Sequence, residues 1–323
     1  MLRFVVFVIL PEILGKGYGE NTFCKKGFPR KIPPPKKKQL KIIKKMDIKQ
    51  LLRDRGFRFN KQFGQNFLTD ENLLNDICAD AGIDGGTVVE VGAGAGTLTR
   101  ALSRHAGKVI AFEIDRNLEP VLALTLADCP NVRVEIGDIM RYKMSDVEAL
   151  CDNKPFRVVA NIPYYITTPL LMEFVEHSSL VTSLTLTIQK EVADRLSARP
   201  CTKDYGAITV AVDAVANVTT TRVLPRTLFY PAPNVDSAVV RIDIDRTKYD
   251  IADHALFRRT VKAAFAMRRK TLVNNLMVGF SLSRADAENV LARADLAVGC
   301  RGEELSTEQF VALYKVLAEV TQK

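Results

Sequence analysis

The chain has 323 residues, enough for one large domain plus a small one, and 47% of them are hydrophobic, as in proteins that bury a full core. No uninterrupted apolar run approaches the roughly 18 residues of a membrane-spanning helix, so the chain reads as soluble and cytoplasmic. The net charge of +9 carries no message about the folded part: residues 1–45 hold 12 of the 46 Lys+Arg and 2 of the 37 Asp+Glu, leaving 34 basic against 35 acidic residues in 46–323.

Residues 1–45 lack the patterning of a fold. A short apolar run, Phe4 to Leu10, is followed by Gly-, Pro- and Lys-rich stretches. No small-residue cleavage site follows the run, and the segment has no Ser and little Arg, against secretory and mitochondrial leaders alike. The expectation is an upstream extension, disordered or non-native, with Met46 as the natural start. A polar helix over Asp47–Arg55 comes next, then a periodic helix over Asp70–Ala81. Strands follow at Thr87–Val91, Lys108–Ile114, Val132–Ile136, Arg157–Ala160 and Leu184–Ile188, with amphipathic segments such as Leu98–His105 and Leu118–Ala127 between them. This alternation predicts an α/β fold: a doubly wound, mostly parallel sheet with helices on both faces. Val235–Ile244 adds a late β-rich run. Phe257–Leu276, Arg284–Ala294 and Thr307–Val320 read as helices, so the catalytic domain is set at 46–245 and a small helical domain at 246–323.

Within that frame Val88–Thr97 is the strongest local signal. A buried strand runs into Gly92, Gly94 and Gly96, where a sharp turn or a close ligand forbids a Cβ, and a helix follows. The spacing is G-x-G-x-G with Glu90 just ahead, one residue short of a dinucleotide fingerprint, and it resembles class I S-adenosylmethionine-dependent methyltransferases, which are Rossmann-like. Glu113 ends the next strand about 20 residues on, where a carboxylate can accept from both ribose hydroxyls; Asp115 competes for that role, and the strand-end position decides for Glu113. Asp138 ends the third strand, placed to accept from the adenine amine of the cofactor. The fourth strand ends in Asn161-Ile-Pro-Tyr-Tyr165. An exocyclic adenine amine is a poor nucleophile because its lone pair is delocalised. The Asn161 side-chain oxygen and the Ile162 carbonyl can each accept one of its hydrogens, Pro163 fixes φ, and Tyr164 can stack on an extruded base. No strong general base is needed, since the transfer itself acidifies the amine. The six cysteines and three histidines show no ligand spacing, so no metal is expected, and scattered thiols suit a reducing cytosol.

Gln62–Leu68, Glu90–Gly94, Asn161–Tyr164 and Phe229–Val239 together resemble the ribosomal RNA small-subunit adenine dimethyltransferase family, over about Met46 to the C-terminus. The resemblance implies that Asn66 and Leu68 line the cofactor site with Gly92, Glu113, Asp138 and Asn161. It also implies that Phe229 faces the target adenine opposite Tyr164. The implied substrate is a pair of adjacent adenines in a hairpin near the 3′ end of small-subunit RNA, in a precursor particle, each receiving two methyl groups from a monomeric enzyme. Two rivals share the fold: a large-subunit methyltransferase conferring antibiotic resistance, and a mitochondrial transcription factor. For docking RNA, the stretch Ala255–Gly279 has Arg258, Arg259, Lys262, Arg268, Arg269 and Lys270 and no acid, and on one helix Arg258, Lys262 and Arg269 share a face.

Overall fold

The computed structural model describes residues 48–57, 59 and 64–321; the expectations for residues 1–47 and the first part of Gln62–Leu68 lie outside them. The N-terminal helix α1 (Ile48–Asp54) buries Leu51 and Leu52. A two-residue strand, β1 (Phe67–Leu68), precedes α2 (Glu71–Asp80), whose first turn is capped by the Asp70 carboxylate accepting from the Asn72 and Leu73 N–H groups.

The central region alternates as expected: β2 (Thr87–Val91), α3 (Thr97–Ser103), β3 (Lys108–Glu113), α4 (Glu119–Thr125), β4 (Val132–Ile136), α5 (Met144–Leu150), β5 (Phe156–Asn161), α6 (Thr167–His177) and β6 (Val181–Gln189). Two short helices, α7 (Lys190–Leu196) and α8 (Ala207–Asp213), lead to β7 (Ala216–Leu224), β8 (Phe229–Tyr230) and β9 (Ser237–Ile244). The seven-stranded sheet has the order β4-β3-β2-β5-β6-β9-β7. Strands β2 to β6 are parallel to their neighbours among themselves, while β9 pairs antiparallel with β6 and β7. β1 and β8 form a separate antiparallel pair, Phe67 opposite Tyr230 and Leu68 opposite Phe229.

Side chains alternate across the sheet with period two, so each face has its own core. Val89, Val91, Ile110, Phe112, Val158 and Ala160 face one way. Val88, Val109, Ala111 and Val159 face the other, with Leu74 and Ile77 of α2 and Leu98 and Leu102 of α3. The first cluster continues into the helices that follow β9: α9 (His254–Ala264), α10 (Leu272–Phe280), α11 (Arg284–Arg293) and α12 (Thr307–Thr321), through Phe257, Leu276, Leu291 and Phe310.

Two elements differ from the sequence expectation. The helix read over Phe257–Leu276 is two helices separated by a turn at 265–270. Asn275, 1% exposed, explains the break: its Nδ2 donates to the Ala264 carbonyl and its Oδ1 accepts from the Met267 N–H, so one side chain satisfies the loose backbone ends. Strand β7 was not anticipated, because Asn217, Thr219 and Thr220 expose polar side chains on a sheet edge and break the apolar alternation.

Candidate active site

The chain order places a switch point between β2 and β5: β3 and β4 lie to one side of β2, then the chain returns to build β5 on the other. Ligand crevices form outside the carboxyl ends of such strands, where the flanking connections diverge. A cleft of about 920 Å³, its open mouth included, lies there and is lined by Asn66, Gly92, Glu113, Asp138, Asn161 and Tyr164 among others.

The glycine loop forms its floor. Gly94 has φ +58°, and a Cβ there would stand 2.7 Å from the Phe67 ring. Gly96 has φ +82°, and its Cβ would meet the Thr125 hydroxyl at 2.7 Å. These two glycines are thus required by left-handed backbone and by tight packing of the protein on itself.

Glu113, 4% exposed, uses both carboxyl oxygens on backbone: Oε2 accepts from the Gly94 N–H at 2.7 Å and Oε1 from the Asp115 N–H at 2.8 Å. Burial raises its pKa above the usual carboxylate range, and those two N–H groups pull against the rise. Each oxygen keeps a second lone pair, so a diol can still be accepted. Asp115 is committed elsewhere: Oδ1 accepts from the Asn117 backbone and side chain at 3.0 and 2.9 Å, and Oδ2 from Gln65 Nε2 at 2.8 Å. Of the two acids, only Glu113 lines the cleft. Asp138 caps the short turn Ile139–Arg141 with Oδ1 on the Met140 N–H at 3.0 Å, and its other oxygen stands 3.6 Å from Arg141 Nε. Ile114, next to Glu113, and Met140, two residues beyond Asp138, are exposed by 39% and 37% and line the same cleft. Acids for a diol and an amine, with apolar side chains between them, form a donor and acceptor set that fits a nucleoside.

On the other side of the cleft, Asn161 Nδ2 donates to the Asn66 carbonyl at 2.7 Å. A carbonyl only accepts, so the amide nitrogen must be the atom facing it, and Oδ1 is left for another donor. The Ile162 N–H donates to the Thr187 carbonyl at 3.2 Å, while its own carbonyl accepts from no described residue. Pro163 holds φ −56° and ψ 131°. Tyr164 shares a hydrogen bond of 2.9 Å with Ser237 Oγ, and burial raises its phenol pKa.

Two expected residues stand apart. Leu68 is 2% exposed and Phe229 5% exposed; both belong to the second core cluster and neither lines the cleft. Tyr165, 57% exposed, directly follows Tyr164 and lines the cleft beside it, and sequence reasoning gave it no role.

Comparison with known proteins identifies the family and the fold. The family model described as ribosomal RNA adenine dimethylase matches residues 56–319. Ribosomal RNA small subunit methyltransferase A of Clostridioides difficile (strain 630) is 43% identical over 276 residues, covering 83% of this chain and 94% of the relative. The protein of the same name from Streptococcus agalactiae (strain ATCC BAA-611 / 2603 V/R) is 43% identical over 288 residues, covering 87% and 99%. Among solved structures, the 23S rRNA methyltransferase ErmE superposes with a TM-score of 0.60 at 26% identity, covering 78% of this chain and 100% of that one. A dimethyladenosine transferase from Plasmodium falciparum gives 0.66 at 24% identity, covering 79% and 98%.

Proposed function

Because the chain belongs to the ribosomal RNA adenine dimethylase family, we propose that it methylates the exocyclic amines of two adjacent adenines in small-subunit ribosomal RNA, with S-adenosylmethionine as donor. The observation that carries the chemistry is the Asn161 amide, turned by the Asn66 carbonyl so that its oxygen is left for the substrate. Bound in the cleft, the cofactor would supply an electrophilic methyl group. The protein's part is to present the nucleophile. Asn161 Oδ1 and the Ile162 carbonyl accept the two amine hydrogens and draw the nitrogen lone pair out of the ring. This interaction strengthens as the nitrogen becomes tetrahedral, so it favours the transition state over the ground state. Tyr164, its hydroxyl tethered to Ser237, offers a ring for the extruded base. The proton released afterwards is acidic enough to pass to water, and no histidine lines the cleft.

We assign Asn66, Gly92, Glu113 and Asp138 to the cofactor and Asn161, Ile162 and Tyr164 to the target adenine. Leu68 and Phe229 support the wall through the β1–β8 pair. The segment 246–323 is assigned to RNA docking beside the catalytic part at 46–245. The names of the 43% identical relatives favour small-subunit RNA over the large-subunit rival. No helix among the described residues is long and apolar enough to cross a membrane. The test is to incubate the full chain with undermethylated small subunits and labelled cofactor. Label on two neighbouring adenines, two methyl groups each, is expected; label in large subunits only, or in neither, would overturn the reading.

A further inference from the structure

A second concavity, about 780 Å³ with its open side included, begins where the Tyr164 anchor ends. Ser237, fully buried, sits opposite Gln189 in the β6–β9 ladder and holds the Tyr164 hydroxyl. Gln189 with its neighbours Lys190 and Glu191, and Asn234, Val235 and Asp236 before Ser237, line the concavity together with Arg226. Its floor is tied by two hydrogen bonds, from the Lys190 N–H to the Asp236 carbonyl at 3.0 Å and from the Arg226 N–H to Asp236 Oδ1 at 2.9 Å.

Most of the charge here is already matched. Lys190 Nζ lies 2.7 Å from Asp194 and Glu191 lies 3.1 Å from Arg195, while Asp236 accepts from the Arg226 N–H and keeps its negative charge on the floor. The Arg226 guanidinium is exposed and pairs with no described acid. Asn234 exposes an amide, and Val235 is 44% exposed. One unpaired cation, amides that both donate and accept, and an apolar surface match the three parts of a nucleotide: phosphate, base edge, and sugar or base face. A single arginine beside the Asp236 carboxylate holds a free anion poorly. It gains affinity when its ligand is tethered to a group bound next door, because the second contact is then intramolecular.

We propose that this concavity is a subsite for the nucleotide adjoining the target adenine, with Arg226 on the phosphodiester and Val235 and Asn234 on the sugar and base. The inference rests on Tyr164 being the platform for the target base. It makes the recognised unit longer than one nucleotide, so that engaging the neighbour helps deliver each adenine in turn to Asn161.

The experiment uses the full chain and undermethylated small subunits. Arg226→Ala is expected to raise KM for subunits about tenfold or more, as removal of a charge-assisted hydrogen bond does, with kcat within about twofold. It should also lower the slope of log KM against log salt by about one, with cofactor affinity unchanged. Arg226→Lys should recover most of the loss. A photoreactive p-benzoylphenylalanine at position 235 should crosslink to a nucleotide immediately beside the target adenine, read as a primer-extension stop. Unchanged KM and salt slope in Arg226→Ala, or crosslinks confined to distant RNA, overturn the subsite while wild-type methylation leaves the function standing. Failure of the wild type to methylate overturns the function itself.

Discussion

Turning the Asn161 amide around would place two hydrogens where an incoming amine needs acceptors, and the Asn66 carbonyl prevents it. Asn161→Ala should therefore lower methyl transfer by about 10² to 10³, the usual cost of removing one preorganised transition-state interaction, while calorimetric cofactor affinity stays within a few-fold. Near-normal turnover would remove Asn161 from the reaction. Glu113 has a double duty that the sequence did not disclose, since its oxygens also hold the Gly94 and Asp115 N–H groups. Glu113→Ala should weaken cofactor binding on the order of tenfold to a hundredfold and also lower Tm; an unchanged dissociation constant would contradict the assignment. Glu90 is the other buried acid. Its two oxygens have no hydrogen-bond partner among the described residues, and burial, then the charge of Glu113, hold its pKa up at about 8, the neighbouring Thr99 hydroxyl offsetting part of this. In the unfolded chain the group ionises near 4.5, so between about 4.5 and 8 the folded state binds the extra proton and stability falls as pH rises. Glu90→Gln should lose that slope: urea unfolding at pH 5 and pH 8 should show the variant gaining on the wild type by up to a few kcal/mol. A difference independent of pH would mean Glu90 is ionised in the fold.

At the scale of elements, the strands that carry the site were legible because each is a short apolar run ending in an acid, a glycine or Asn-x-Pro-Tyr, and position in the run fixes position at the sheet edge. What stayed hidden depends on contacts between distant segments. The strand-end position already points to Glu113 over Asp115; what the sequence does not show is that Gln65, fifty residues away, claims Asp115. The resemblance sets Phe229 against the target adenine, whereas its pairing with Leu68 buries it in the core behind the cleft, a placement that only the β1–β8 register reveals. The break between α9 and α10 follows from one buried asparagine in an otherwise helical pattern. Gly94 shows the same dependence, since the atom excluding its Cβ belongs to β1. Gly94→Ala should strain a positive φ and push Phe67 aside, disturbing β1 and the Asn66 carbonyl that orients Asn161. A Tm loss of several degrees with weakened cofactor binding is expected by calorimetry; a variant as stable and as tightly binding as the wild type would show that Phe67 yields without cost.

At the scale of the whole molecule the question is where a near-neutral body holds a phosphate backbone. The single basic face expected from Arg258, Lys262 and Arg269 is not formed, because α9 ends at Ala264 and Arg269 lies in the turn beyond it. Three of the six basic residues have structural partners: Arg258 faces Glu176 at 3.5 Å, Arg259 donates to the Gly279 carbonyl and lies over the Phe280 ring, and Arg268 pairs with Glu303 at 2.7 Å. Lys262, Arg269 and Lys270 are exposed and pair with no described acid. Docking through this turn should thus depend on those three, and the earlier arginines should matter for folding. Lys262→Glu with Arg269→Glu is expected to weaken binding to small subunits and reduce its salt slope by about two, one for each phosphate no longer neutralised, with Tm and cofactor affinity near wild type. Arg258→Glu should behave oppositely, setting two carboxylates against each other where Glu176 is largely covered and lowering Tm, with the salt slope retained. Sedimentation binding across a salt series, beside melting curves for each variant, separates the two outcomes. If the double reversal leaves subunit binding unchanged at moderate salt, the turn is not the docking surface, and Arg53 and Arg55 at the end of α1 become the basic residues to reverse next.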